Sequence, residues 1–329
     1  MKTTVALLAA LLVAQLQAKQ PDLPMQDLLD HAKYSEVIQK APAEPDYLTN
    51  PRLLESQATA MYFAGKFEDA DKVLVDALAK FPQDANLHQV AAMNKFSLAQ
   101  QASLFSAGGL AKDGRDLLKK AVELAPDQPS MMLDLIGFYV QAPSIAGGDT
   151  DEAKKLVSQL QAKDAILGAI GQSLVLLSDE KNKEALQLIE EQIKLTPDNG
   201  RLLGQKASIL VAMEQYPDAL TAYFLAAQHA DSASSKYSYL YQIGRISVKN
   251  QLEPTTGQKA LLQFIEYYKD SEHQQLPWAK LRLAQLYLQQ KDKTNAEQWF
   301  SSASTNAPDD ERLEDELKKV EKQLKKLKS

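Results

Sequence analysis

Residues 51–84 read PRLLESQATAMYFAGKFEDADKVLVDALAKFPQD. Leu54, Ala58 and Met61 fall at helical spacing, Gly65 interrupts them, and Ala70, Leu74 and Ala77 resume the pattern on a second helix that Pro82 ends. Asn50 ahead of Pro51 supplies an N-cap followed by proline at the first helical position, a firm helix start. Ala58, Ala70 and Ala77 carry the most weight. Two antiparallel helices joined by a short turn approach closely only where their facing side chains are small, and Leu54 and Leu74 then fill the space between. The stretch predicts a helical hairpin.

The hairpin returns along the chain. The small residue that opens its second helix recurs as Ala70, Gly114, Ala153, Ala185, Ala219, Ala260 and Ala296, at intervals between 32 and 44 residues. This plan resembles the tetratricopeptide repeat, a helical pair of about 34 residues. The likeness is fullest at Leu203, Ala207, Leu210, Tyr216, Ala219, Tyr223 and Ala226, and again at Leu283, Ala284, Tyr287, Ala296, Phe300, Ala303 and Pro308. It implies an all-α, right-handed solenoid of about seven hairpins over residues 51–310, with an entry half-repeat over 19–50 and a capping helix over 311–329.

Three intervals, of 44, 39 and 41 residues, exceed the family length by five residues or more, so the array is decorated. Leu87 to Ser106 is apolar enough for an over-long first helix, Gly108-Gly109 reads as its break, and Leu110 to Leu124 as the second helix. Downstream, Pro143 to Gly148 leads to Asp149, which with Glu152 three residues on forms a capping-box-like start for the next helix. This proline-to-Gly-Gly-Asp turn resembles one in divergent bacterial repeat proteins, including the repeat subunit of some tripartite periplasmic transporters.

The two ends differ from the middle. Met1 to Ala18 has a lone Lys2, an apolar run from Val5 to Ala14 and Leu16-Gln17-Ala18 before Lys19, the anatomy of a secretory signal peptide. A buried first helix would be patterned, and a membrane span would need about 20 apolar residues. Cleavage near Ala18 is expected, with export to the periplasm if the source is Gram-negative. With no cysteine in the chain, neither lipid attachment through a thiol nor a disulfide is available. At the other end, Leu313, Leu317, Val320, Leu324 and Leu327 form one apolar stripe, with acidic residues at its start and lysines at its end. Such a helix either covers the last repeat or forms a short dimer seam.

Composition and motifs narrow the function. A net charge of −6 provides no basic field for nucleic acid. The four histidines are dispersed, and no Walker-type Gly-Lys-Ser, nucleophile elbow or dinucleotide fingerprint occurs, so neither catalysis, a cofactor nor a metal site is expected. Binding remains. The resemblance implies a concave groove lined by first helices, which would present Arg52, Glu55, Thr59 and Tyr62, then Leu167, Ile170 and Leu174. Further along it would present Ser208, then Tyr241, Arg245 and Lys249, then Trp278, Leu281 and Gln285. Residues 166–177 are apolar almost all round, so something should cover them: the chain itself, a partner or an apolar ligand. Aromatic area beside positive charge at Tyr241, Arg245, Lys249 and Trp278 suits a protein or peptide partner with acidic groups or a free carboxylate. The paired Lys and Asn clamp of chaperone-binding family members is absent. The main expectation is an exported adaptor or assembly factor that binds protein through its groove. The alternative is a periplasmic ligand-binding accessory subunit of a transport system.

Overall fold

The computed structural model describes residues 24–305 and 310–326, and every regular element among them is helical. The expected signal segment, residues 1–18, lies outside the described residues. The chain divides into two compact units, residues 1–197 and 198–329.

The first unit begins with a short pair, α1 (Pro24–Asp30) and α2 (Tyr34–Lys40), and two single turns of 3-10 helix. Tyr34 stacks on Phe63 with ring centroids 5.5 Å apart, and the Tyr47 hydroxyl donates to Gln57, so this entry segment is packed on the first full hairpin. That hairpin is α3 (Pro51–Phe63) and α4 (Phe67–Lys80). Asn50 caps it as expected, its side-chain oxygen accepting the Arg52 amide at 3.0 Å. Ala58, Ala70 and Ala77 are fully buried with Leu54 and Leu74 in one cluster, which is the close approach that the small residues predict.

Three more hairpins follow in this unit: α5 (Ala85–Gln101) with α6 (Leu104–Leu124), α7 (Pro129–Gln141) with α8 (Thr150–Lys163), and α9 (Ala165–Ser178) with α10 (Asn182–Leu195). The first corrects the sequence reading. The break falls at Ala102-Ser103 and not at Gly108-Gly109, which lie inside α6. A helix absorbs each interior glycine at a cost of about 1 kcal/mol, and α6 has the apolar stripe to offset it. Gly108 faces the 142–149 loop, where a methyl group would make ordinary contact with the Ile145 carbonyl oxygen at 3.7 Å. The two decorations therefore pack on each other, the 142–149 loop lying along α6.

Only half of the expected capping box forms at α8. Asp149 accepts the Asp151 and Glu152 amides at 3.0 and 3.1 Å, while the Glu152 side chain turns outward to Lys155 at 2.6 Å. The Asp149 amide goes instead to the Tyr139 carbonyl.

The second unit holds α11 (Gly200–Ala212) with α12 (Tyr216–Gln228), α13 (Ala233–Asn250) with α14 (Pro254–Tyr268), α15 (Gln275–Gln289) with α16 (Lys293–Ser304), and the terminal α17 (Glu311–Lys326). Leu313, Val320 and Leu324 of α17 are buried against Leu281, Leu288, Ala296 and Ala303, so the apolar stripe covers the last hairpin. Leu327 lies outside the described residues.

One device recurs in both units. After α3 the chain turns through Gly65 at φ 75°, with Lys66 N–H bonded to Met61 and Gly65 N–H to Tyr62, a Schellman closure. The same two bonds close α9, α11 and α15, but there the left-handed residue is Glu180, Glu214 or Lys291, at φ 60°, 59° and 62°. The turn is conserved in shape while its glycine is replaced, at a cost of about 1 kcal/mol each.

Candidate functional site

In the second unit the first helices α13 and α15 lie side by side. Tyr241 and Arg245 are one turn apart on α13; Trp278 and Arg282 are one turn apart on α15. Buried Ile243 and Leu240 fix the rotation of α13, as buried Ala279, Leu283 and Ala284 fix that of α15, so these residues meet across the seam.

Arg282 is held by aromatic groups. Its Nε donates to the Tyr241 hydroxyl at 3.2 Å, and its guanidinium carbon lies 5.6 Å from the Tyr241 ring centroid and 5.4 Å from that of Trp278. Tyr241 in turn packs on Phe264, centroids 5.4 Å apart. Arg245 is half-buried beside Tyr223, Arg282 and Tyr241, and burial pulls its pKa below the ordinary arginine value, with the neighbouring Arg282 acting in the same direction. The Tyr223 hydroxyl is 3.1 Å from Ser208 Oγ on α11. Burial raises the Tyr223 phenol, against the pull of Ser208 and Arg245, so it stays neutral and able to donate.

Among the described residues, neither arginine has a carboxylate within ion-pairing distance. The first unit behaves otherwise: its groove-position Arg52 pairs with Glu55 at 2.6 Å and faces Asp84 at 4.0 Å. Buried arginine without a counter-charge costs solvation that π-faces offset only in part. Two such groups stand on successive first helices, beside the hydroxyls of Tyr223 and Tyr241. Lys249 is exposed one turn beyond Arg245 and extends the positive face.

The other expected groove residues divide. Trp278 reaches the terminal segment as well, its Nε1 donating to Asp310 at 3.2 Å, and Gln285 donates to Glu316 at 2.8 Å. Leu281 is fully buried beneath α17 and is no part of an open surface. Tyr62 is buried edge-on to Phe63 and Phe67, and Thr59 is buried too. Leu167 and Ile170 are buried and Leu174 half-buried on α9, which packs among α7, α8 and α10. Arg282 and Tyr223 escaped the sequence reading as site residues. Arg282 had a signal: it is a cation set among the apolar positions of LRLAQLYL, next to Leu281.

A different polar pair lies between α5 and α7. Gln89 Nε2 donates to Asp134 Oδ2 at 2.7 Å, both side chains are buried, and burial raises the Asp134 carboxyl to about 8. Among the described residues, no group of three or more His, Cys, Asp or Glu side chains is arranged to hold a metal ion, and no helix is long and apolar enough to cross a membrane.

No curated protein matches the sequence. Residues 251–311, which span α14 to α16, match the sequence model of the tetratricopeptide repeat. Among solved structures, yeast Tom70 is similar at TM-score 0.63 and 17% identity, over 89% of this chain and 59% of that one. The chain thus spans a little under two thirds of the Tom70 length. Human IFIT1, as a dimer with m7Gppp-AAAA, is similar at TM-score 0.54 and 12% identity, over 88% of this chain and 67% of that one. At such identities the likeness is one of fold. Helical hairpins that nest across buried alanines give the chain a tetratricopeptide-repeat-like fold, and its residues 251–311 match the sequence model of that repeat.

Proposed function

We propose that the protein is a non-enzymatic binding scaffold that takes an acidic segment of a protein partner on the α13–α15 face of its second unit. The observation that carries this reading is the pair Arg245 and Arg282, half-buried on successive first helices with no carboxylate among the described residues within ion-pairing distance of either. A partner carboxylate, from a side chain or a chain end, would accept from the free N–H groups of both guanidinium groups, and Tyr241 and Trp278 would contribute apolar contact. Lys249 would widen the field that guides the partner in.

The test is recovery of partners on immobilised protein. Replacing Arg245 and Arg282 with Gln should abolish capture of the partners that the wild type holds, and raising salt should weaken capture in the wild type. Undiminished capture by R245Q/R282Q rejects this face.

Export belongs to the same proposal, resting on the signal anatomy of Met1 to Ala18. N-terminal sequencing of the protein from its native source should begin at or near Lys19; retention of Met1 overturns it. The transport-subunit alternative drew on the apolar 166–177 helix. Because Leu167 and Ile170 are buried, we favour the scaffold.

A further inference from the structure

The two decorations that pack together carry the most exposed large apolar side chains among the described residues: Phe105 on α6 is fully exposed and Ile145 in the 142–149 loop is 82% exposed. Phe105 lies one turn before Gly108, whose backbone approaches the Ile145 carbonyl, so the two side chains stand on one projection. The surrounding sequence is free of charge. Between Lys95 and Lys112, and again between Asp134 and Asp149, no Asp, Glu, Lys or Arg occurs, in a chain where 24% of residues are charged.

We propose that this projection seats in the interfacial layer of a lipid bilayer. Three features select that occupant. First, a Phe and an Ile together offer only a few hundred Å², since an aromatic side chain buries roughly 150–250 Å²; a stable protein interface or a second copy needs about 800 Å² per partner. Second, a bilayer needs no complementary pocket, and the tip is convex: Phe105 touches too little of its own chain to be shielded at all. Third, insertion desolvates the chain neighbours of the apolar side chains, and Ser103, Ser106, Gly109, Pro143 and Ser144 are not ionic; the guanidinium that borders the loop, Arg115 against Gly147, is paired with Asp116 at 2.8 Å. Exposed Lys112, two turns beyond Phe105 on α6, would stay at headgroup level. Two side chains make a reversible anchor, weaker than a single acyl chain, so the protein would sample the membrane surface and not reside in it.

The test uses the full chain with phosphatidylcholine vesicles in a sedimentation assay titrated to several millimolar lipid. Wild-type protein should partition onto the vesicles. The double variant F105S/I145S should lower the partition coefficient about tenfold for each side chain removed, with an unchanged thermal midpoint because neither side chain is buried. F105W should fluoresce further to the blue when vesicles are added. The proposal fails if wild type stays in the supernatant, if F105S/I145S sediments equally, or if sedimentation equilibrium without lipid shows wild-type self-association that F105S/I145S abolishes, which would make a second copy the occupant.

Discussion

Asp134 gives the sharpest quantitative consequence of the fold. Its carboxyl is 5% exposed, faces Gln89, and is raised by burial from an ordinary 3.8 to about 8. The folded chain therefore keeps a proton that the unfolded chain releases above about pH 4. Stability contributed by this group is complete below pH 4 and declines as pH rises towards 8, at about 1.36 kcal/mol per pH unit. Between pH 5 and 7.5 the loss comes to about 3 kcal/mol, a large share of a typical folding free energy. Asp134→Asn removes the titration and keeps an oxygen for the Gln89 amide to donate to. Urea unfolding followed by circular dichroism at pH 5 and pH 7.5 should show wild type losing about 3 kcal/mol more than D134N across that interval, with D134N the more stable protein at the higher pH. Other titrating groups cancel in the comparison. They include His273, depressed by burial from 6.5 to about 4, whose contribution is lost in the opposite direction as pH falls. Equal losses in the two proteins, to within about 0.5 kcal/mol, would refute the claim that this carboxyl is held neutral.

Four further substitutions test the packing and the site. Arg245→Met should stabilise the fold by about 1 kcal/mol, since it removes a half-buried charge without a counter-charge, yet abolish partner capture; a destabilised R245M would mean that Arg245 serves the fold. Gly244→Ala should cost about 1–3 kcal/mol by overpacking, because the added methyl would lie 2.3 Å from Cγ of fully buried Leu261; its urea midpoint reads this directly. Glu214→Gly should stabilise by up to about 1 kcal/mol by relieving the left-handed turn, whereas Gly65→Ala should cost a similar amount; a destabilised E214G would place the Glu214 side chain in an interaction worth more than the strain.

The helical hairpins were legible because their signals are local. Ala58, Ala70 and Ala77 mark a contact between neighbouring helices, and Asn50, Asp149 and Asn199 each reach an amide two or three residues on. Anything that depends on which distant residue stands opposite was not. Gly108-Gly109 read as a break because glycine weakens a helix locally, yet the break falls at Ala102-Ser103 and α6 runs through both glycines alongside the 142–149 loop. The turns at Glu180, Glu214 and Lys291 carry no sequence mark, since the Schellman bonds hold a residue left-handed whatever its side chain. Leu281 shares a helix face with Trp278, and only the arrival of α17, thirty residues later, decides that it is core.

The candidate site divides the same way. Aromatic and cationic residues on α13 and α15 could be read as interface material from their types and periodicity. Whether a cation is spent or available is a property of its surroundings: Arg52 and Arg245 look alike in sequence, and one meets Glu55 while the other meets Tyr223 and Arg282. Sequence alone determined that this chain folds as paired helices, because backbone hydrogen bonds and small-residue contacts act over a few residues. Tertiary structure decided which charges stay unmatched, because electrostatic compensation is settled between side chains that the fold, and not the chain order, brings together.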